Sequence, residues 1–150
     1  MEFENFDEVR QMGPCMLGVS AWQSVTAERV RTFADLTGDH QWIHIDHERA
    51  LKNAPFGGAI VHGAFILALI PVFAGEVFRI QNASLIVNAG MTRARLRDPV
   101  PVGSMVRGRV RLRAVESFLT GLLVNLDVTV EVDGRPRVAC TAEQMMVIYA

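Results

Sequence analysis

The stretch Ala59-Ile60-Val61-His62-Gly63-Ala64-Phe65-Ile66-Leu67-Ala68-Leu69-Ile70-Pro71-Val72-Phe73-Ala74 decides the fold of this chain. As a helix it would be apolar on every face, yet it falls short of the roughly 20 apolar residues a bilayer requires. It is also interrupted by His62, Gly63 and Pro71. A helix too apolar for a surface and too short for a membrane must be enclosed by its own protein.

Upstream, the pattern predicts two more helices. Thr26 can cap the first, Glu28 suits the positive end of its dipole, and Val30, Phe33, Ala34 and Thr37 follow at helical spacing. Gly38 supplies a left-handed stop and leaves Asp39 at the head of the next loop. Asp46 can cap a second, short helix through Asn53, with Glu48 and Lys52 spaced as an ion pair.

Downstream of Asn82 the period changes to two. Leu122, Val124, Leu126, Val128, Val130 and Val132 alternate with mostly polar residues, which predicts a strand with one buried face. Asp133-Gly134 predicts a hairpin into a last strand over residues 137–149. Residues 84–96 and 106–115 read as two further strands, and 17–22 as a short one. The expected architecture is α+β, one domain over residues 1–150, with an antiparallel sheet wrapped around the apolar helix. Helix enough for one sheet face, together with an open sheet edge, predicts a homodimer formed by sheet extension.

Composition sets the bounds on function. The chain is 50% apolar and 21% charged, ordinary for a globular protein with a full core. A chain of this length buries about 68–70% of its unfolded surface, so no disulfide or structural metal is needed. Cys15 and Cys140 lack zinc or redox spacing, and the acidic start Met1-Glu2-Phe3-Glu4 is unlike a secretory signal; both fit a cytoplasmic setting without metal or cofactor. Residues 79–113 carry eight arginines and one acid. Arg93, Arg95 and Arg97, and again Arg107, Arg109, Arg111 and Arg113, occupy alternate strand positions. Most of such a stripe is a solvated face, although arginine forks also match phosphate. A net charge of −1 and the lack of interleaved aromatic residues argue against nucleic acid.

The candidate chemistry lies in Thr37-Gly38-Asp39-His40-Gln41-Trp42-Ile43-His44. Aspartate and histidine side chains, with reference values of about 3.9 and 6.5, straddle the range useful for proton transfer. Taken singly, a helix-end aspartate and a satisfied core histidine are the ordinary readings of such residues. Five residues could separate the two by about 17 Å if extended, so a shared site requires the loop after Gly38 to curl.

The strings FADLTGDHQWIHIDHERA (residues 33–50) and PFGGAIVHG (residues 55–63) together resemble the MaoC-like, (R)-specific enoyl-CoA hydratase (hydratase 2) family, and within it the NodN-like branch. The resemblance continues through Asn88 and Pro99-Val100-Pro101-Val102-Gly103, so it covers nearly the whole chain. It implies a hot-dog fold, a homodimer, and a trans-2-enoyl thioester substrate of fatty acid metabolism. It also implies Asp39 and His44 as the catalytic dyad and the Gly63 backbone N–H as an oxyanion donor. Gln41 and Trp42 stand where many relatives have Asn-Pro, and Gln41 is a candidate for orienting the water or the substrate. His62 is read as structural, because Val61 and Ala64 beside it are core residues.

Hydration of such a thioester needs a base for the water attacking C3, a proton for C2, and stabilisation of the enolate oxygen. Asp39 and His44 can meet the first two in either assignment, Gly63 can meet the third, and no metal is required. The alternatives are a 3-hydroxyacyl dehydratase acting on acyl carrier protein, an acyl-CoA thioesterase, and a non-catalytic acyl-CoA-binding module. A hot-dog thioesterase commonly carries an acid on or near the central helix, and here that helix has none before Glu76.

Overall fold

A computed structural model describes all residues, 1–150. The elements run β1 (Glu2–Phe3), α1 (Phe6–Arg10), β2 (Cys15–Val19), β3 (Gln23–Ser24), α2 (Ala27–Thr37), α3 (Trp42–Ile45), α4 (His47–Asn53) and α5 (Gly63–Val77). They continue with β4 (Arg79–Ile80), β5 (Leu85–Leu96), β6 (Met105–Phe118), β7 (Gly121–Val132) and β8 (Cys140–Tyr149). The last four long strands and β2 form an antiparallel sheet in the order β2-β6-β7-β8-β5, with β3 also pairing with β6.

The sheet curls around α5, which packs against β2, β5, β6, β7 and β8. Phe65, Ile66, Leu69, Ile70, Phe73, Ala74 and Val77 of α5 are buried among the alternate residues of β7 running from Leu122 to Val132. This is the hot-dog arrangement that the apolar helix demands. No helix is long and apolar enough to cross a membrane.

The chain leaves room for the helix at one point in β6. A methyl group on Gly108 would lie 2.5 Å from Cβ and 2.8 Å from Cγ of Phe73, which is fully buried. Gly108→Ala should therefore push α5 off the sheet and cost about 1–3 kcal/mol, as overpacking typically does. A denaturant midpoint unchanged in this variant would show that the contact is softer than the distances imply.

Both capped helices form as expected. The Thr26 side chain accepts from Arg29 N–H at 3.2 Å, Gly38 ends α2 at φ 80°, and Asp46 accepts from Arg49 N–H at 3.0 Å. Three details differ from the sequence reading. The strand expected over 17–22 ends at Val19: Ser20 N–H still donates to the Gly108 carbonyl at 2.8 Å, but the return bond from Gly108 N–H goes to the Ser20 hydroxyl, at 2.9 Å, in place of a backbone carbonyl. Asp133-Gly134 does turn the chain, with Gly134 at φ 68°, but it does not close a tight hairpin. Pairing of β7 with β8 begins only at Val130 and Cys140, and the chain between them forms a longer connection in which Arg135 N–H donates to the Val132 carbonyl at 3.2 Å. The final strand accordingly starts at Cys140 and not at Arg137.

Two short helices fall outside the sequence reading. Asn5 caps α1 by accepting from Asp7 and Glu8 N–H. The other, α3, is a single turn without a side-chain cap, and it carries His44.

Candidate active site

Gly38 turns the chain out of α2, and α3 then folds it back on itself, so the loop after Gly38 curls as a shared site requires. The peptide N–H of Ile60 donates to the carbonyl of Ile43 at 3.0 Å, lacing the segment before α5 onto α3. In return, the carbonyl of Ile60 accepts from Nδ1 of His44 at 2.7 Å. A carbonyl can only accept, so Nδ1 of His44 carries the proton and the free lone pair of the neutral ring sits on Nε2. His44 is buried, and burial is the main reason its imidazole titrates below the ordinary value of 6.5. The Ile60 bond works against that shift, His62 adds to it, and Asp39 opposes it.

Asp39 is exposed, and its main-chain carbonyl accepts from Nε2 of His62 at 2.9 Å. One polar side-chain atom from each of Asp39, His44 and His62 lies within 4.8 Å of the other two. The same three groups have the composition of a metal site, but their geometry suits it poorly. The rings of His44 and His62 stack with centroids 3.8 Å apart and planes only 26° from parallel. Lone pairs in nearly parallel planes do not converge on one ion at the roughly 2.0–2.1 Å that imidazole coordination of zinc needs.

Gly63 opens α5, and the first N–H groups of a helix have no partner within it. Gly63 lines a largely apolar cavity of about 220 Å³ together with Phe56, Ile60, Val61, Ile66, Leu96, Arg97, Asp98, Pro99, Val100 and Ala139. Asp39 and His44 do not line this cavity themselves. They adjoin it through Ile60, whose carbonyl holds His44, and through His62, the residue before Gly63. The start of α5 thus borders an apolar cavity, with Asp39 and His44 hydrogen-bonded to the segment that leads into it.

Other residues singled out in the sequence sort differently. Gln41 is exposed and caps α3 without a side-chain hydrogen bond, while the Trp42 ring lies under Arg49, 4.5 Å from its guanidinium carbon. Neither lines the cavity. Among the phenylalanines, Phe56 borders it, whereas Phe73 and Phe78 are fully enclosed core residues. Most of the arginine stripe is a paired outer face. Arg107 and Arg109 both bind Glu131, while Arg93 and Arg113 both bind Glu143. A bulge around Arg93, at φ 48°, interrupts the alternation of its strand, yet Arg93, Arg95 and Arg97 still border one groove. The glutamate of the central helix, Glu76, is occupied at the opposite end from Gly63, roughly 20 Å away along the axis. It accepts there from Ala21 N–H and from the Gln23 amide.

Comparison with known proteins identifies the family. A family described as MaoC like domain matches residues 16–149. The chain belongs to the MaoC-like family. A MaoC-like relative named 3-hydroxyacyl-thioester dehydratase Z, from Mycobacterium tuberculosis, is 40% identical over 145 residues, covering 96% of this chain and 95% of the relative. Nodulation protein N of Rhizobium meliloti is 41% identical over 134 residues, covering 84% of this chain and 80% of that protein. Among solved structures, an (R)-hydratase from A. caviae superposes with a TM-score of 0.70 at 24% identity, covering 86% of this chain and 93% of that one. This last likeness speaks for the MaoC-like fold.

Proposed function

We propose that this MaoC-like protein is a carbon–oxygen lyase that interconverts trans-2-enoyl thioesters and (R)-3-hydroxyacyl thioesters, with Asp39 and His44 as its dyad. The observation that carries the reading is the His44 Nδ1–H bond to Ile60, which leaves Nε2 free as a base next to the Asp39 carboxylate. In the hydration direction, a water held between the two groups loses a proton to Nε2 as its oxygen bonds to C3. The electron pair of the double bond moves toward the thioester oxygen, where the Gly63 N–H receives the developing charge. The enolate then collapses and C2 takes a proton from the Asp39–His44 pair, which returns to its starting state. Dehydration is the reverse sequence.

The cavity beside Gly63 suits an acyl chain, since it is bounded mainly by aliphatic side chains. Arg97 borders both that cavity and the neighbouring groove, and no acid lies in ion-pair contact with it or with Arg95. Such guanidinium groups fit the phosphate of a pantetheine-linked carrier, whether coenzyme A or acyl carrier protein. The exposed Leu85, Ile86 and Val87 on edge strand β5 support a second copy extending the sheet. One assay tests the reading. Purified protein is incubated with crotonyl-CoA and longer enoyl-CoAs while conjugated-thioester absorbance and free thiol are followed together. Loss of absorbance without thiol is expected, with the chiral product of (R) configuration. Thiol release would identify a thioesterase, and no change a binding module.

The pH profile follows from His44. Its folded value is lowered mainly by burial, so kcat/KM should hold as the pH falls to 6.5 and decline only below it. The folded protein holds fewer protons than the unfolded chain in that window, so stability also falls as the pH drops. An acid limb centred above 6.5 would contradict His44 as the base.

A further inference from the structure

His62 stands at the entrance to α5, is only 1% exposed, and is unused by the hydration scheme. Its Nε2 must carry a proton, because its partner is the carbonyl of Asp39, 23 residues earlier in the chain. Its Nδ1 is then a buried nitrogen with no hydrogen-bond partner. A site that only needed filling would be served by an aromatic or aliphatic side chain without that orphan, and an orphaned buried polar atom calls for a reason. The reason lies in what the ring touches. One edge holds the main chain of Asp39, and one face stacks on His44 at 3.8 Å. Phe33 of α2 also packs against the ring at 5.1 Å, and Phe33 in turn stacks on Phe65 of α5 at 5.0 Å, so the imidazole has little freedom to tilt.

We infer that His62 is the positioning residue of the dyad: a single ring ties down the backbone of Asp39 and backs the imidazole of His44, fixing the gap in which the water is held. The inference rests on the Asp39–His44 reading above. His62 reaches no substrate atom in this role. It acts through the two residues that do. The titratable groups acting on His44 are Asp39, from the loop after α2, and His62, from the start of α5. Of the charged groups on the flanking helices, Arg31 reaches only the carbonyl of Ile45, and Asp46 is engaged with Arg49 N–H.

Two variants separate the tether from the support. His62→Phe keeps a flat ring against His44 and Phe33 but offers no donor to Asp39. His62→Gln keeps an N–H near the position of Nε2 and loses the ring. With enoyl-CoA as substrate, His62→Phe should lower kcat at least about tenfold, since misplacement of catalytic groups by an ångström costs up to about a hundredfold. KM should stay within about twofold, because the interaction lost is one that matters in the transition state. His62→Gln should recover part of kcat through the restored donor. Imidazole NMR on the same proteins gives a readout independent of turnover: wild type should show the Nδ1–H tautomer at His44 and the Nε2–H tautomer at His62, and the His44 ring resonances should shift in either variant, because the imidazole stacked on them at 3.8 Å is replaced. A kcat within twofold of wild type, in whichever variant is folded, would overturn the inference. If wild type hydrates no enoyl thioester, the functional reading fails, while the His44 tautomer and ring resonances still report whether His62 holds His44 in place.

Discussion

Asp39→Asn and His44→Ala should each lower enoyl-CoA hydration by at least about a hundredfold, the lower end of what a positioned acid or base contributes. The two variants reach that loss differently. Asp39 is exposed; its main-chain carbonyl accepts from His62 and its Oδ1 accepts from Gln41 N–H at 3.4 Å, and asparagine can keep both bonds. Asp39→Asn should therefore melt like wild type and fail only in proton handling. His44 is buried, and its removal strips the Ile60 carbonyl of a donor at 2.7 Å. A stability loss of about 1 kcal/mol is expected beside the kinetic one, the usual scale for one hydrogen bond. Steady-state assays paired with thermal melts distinguish the two patterns. Turnover close to wild type in both variants would end the dyad assignment, wherever the reaction then takes place.

Gly63→Ala is expected to have the second largest effect. A Cβ at this position would lie 2.3 Å from Cδ1 of Leu96, and the clash falls on a side-chain tip and not on backbone. Leu96 is 59% exposed and can rotate, so the fold should survive. The cavity should not keep its shape, because Gly63 and Leu96 both line it and their collision displaces the Leu96 side chain. A displacement of the thioester by about an ångström from the Gly63 N–H predicts a loss in kcat/KM on the order of a hundredfold. The double variant Gly63→Ala with Leu96→Ala should recover much of that loss by returning the space. Activity of the single variant equal to wild type would mean that substrate does not lie against the start of α5.

The local features were readable because they depend on near neighbours in sequence. Thr26, Gly38 and Asp46 act within one helical turn of their own positions, and each makes the cap or stop expected of it. The alternation along β7 survives in the structure as a strictly alternating buried face from Leu122 to Val132. Elements of one turn, such as α3, carry too few residues to show a period, so their existence depends on tertiary hydrogen bonds such as that of Ile60 to Ile43. The turn at Asp133-Gly134 forms as dipeptide chemistry announces, but where β8 begins to pair depends on the path of the connection that follows, which a dipeptide does not encode.

The sequence by itself determined that an antiparallel sheet must close around an apolar helix, because no other environment accepts residues 59–74. It also determined which two titratable residues flank the glycine-stopped loop. The tertiary structure decided how those residues are held. Which imidazole nitrogen of His44 is free depends on a carbonyl 16 residues later in the chain, and the bond tying His62 to Asp39 spans 23 residues. Hydrogen-bond partners at such separations are set by the packing of α3 against the start of α5, and no local periodicity encodes them. His62 therefore reads as one more core residue in the sequence and as the neighbour of both Asp39 and His44 in the fold.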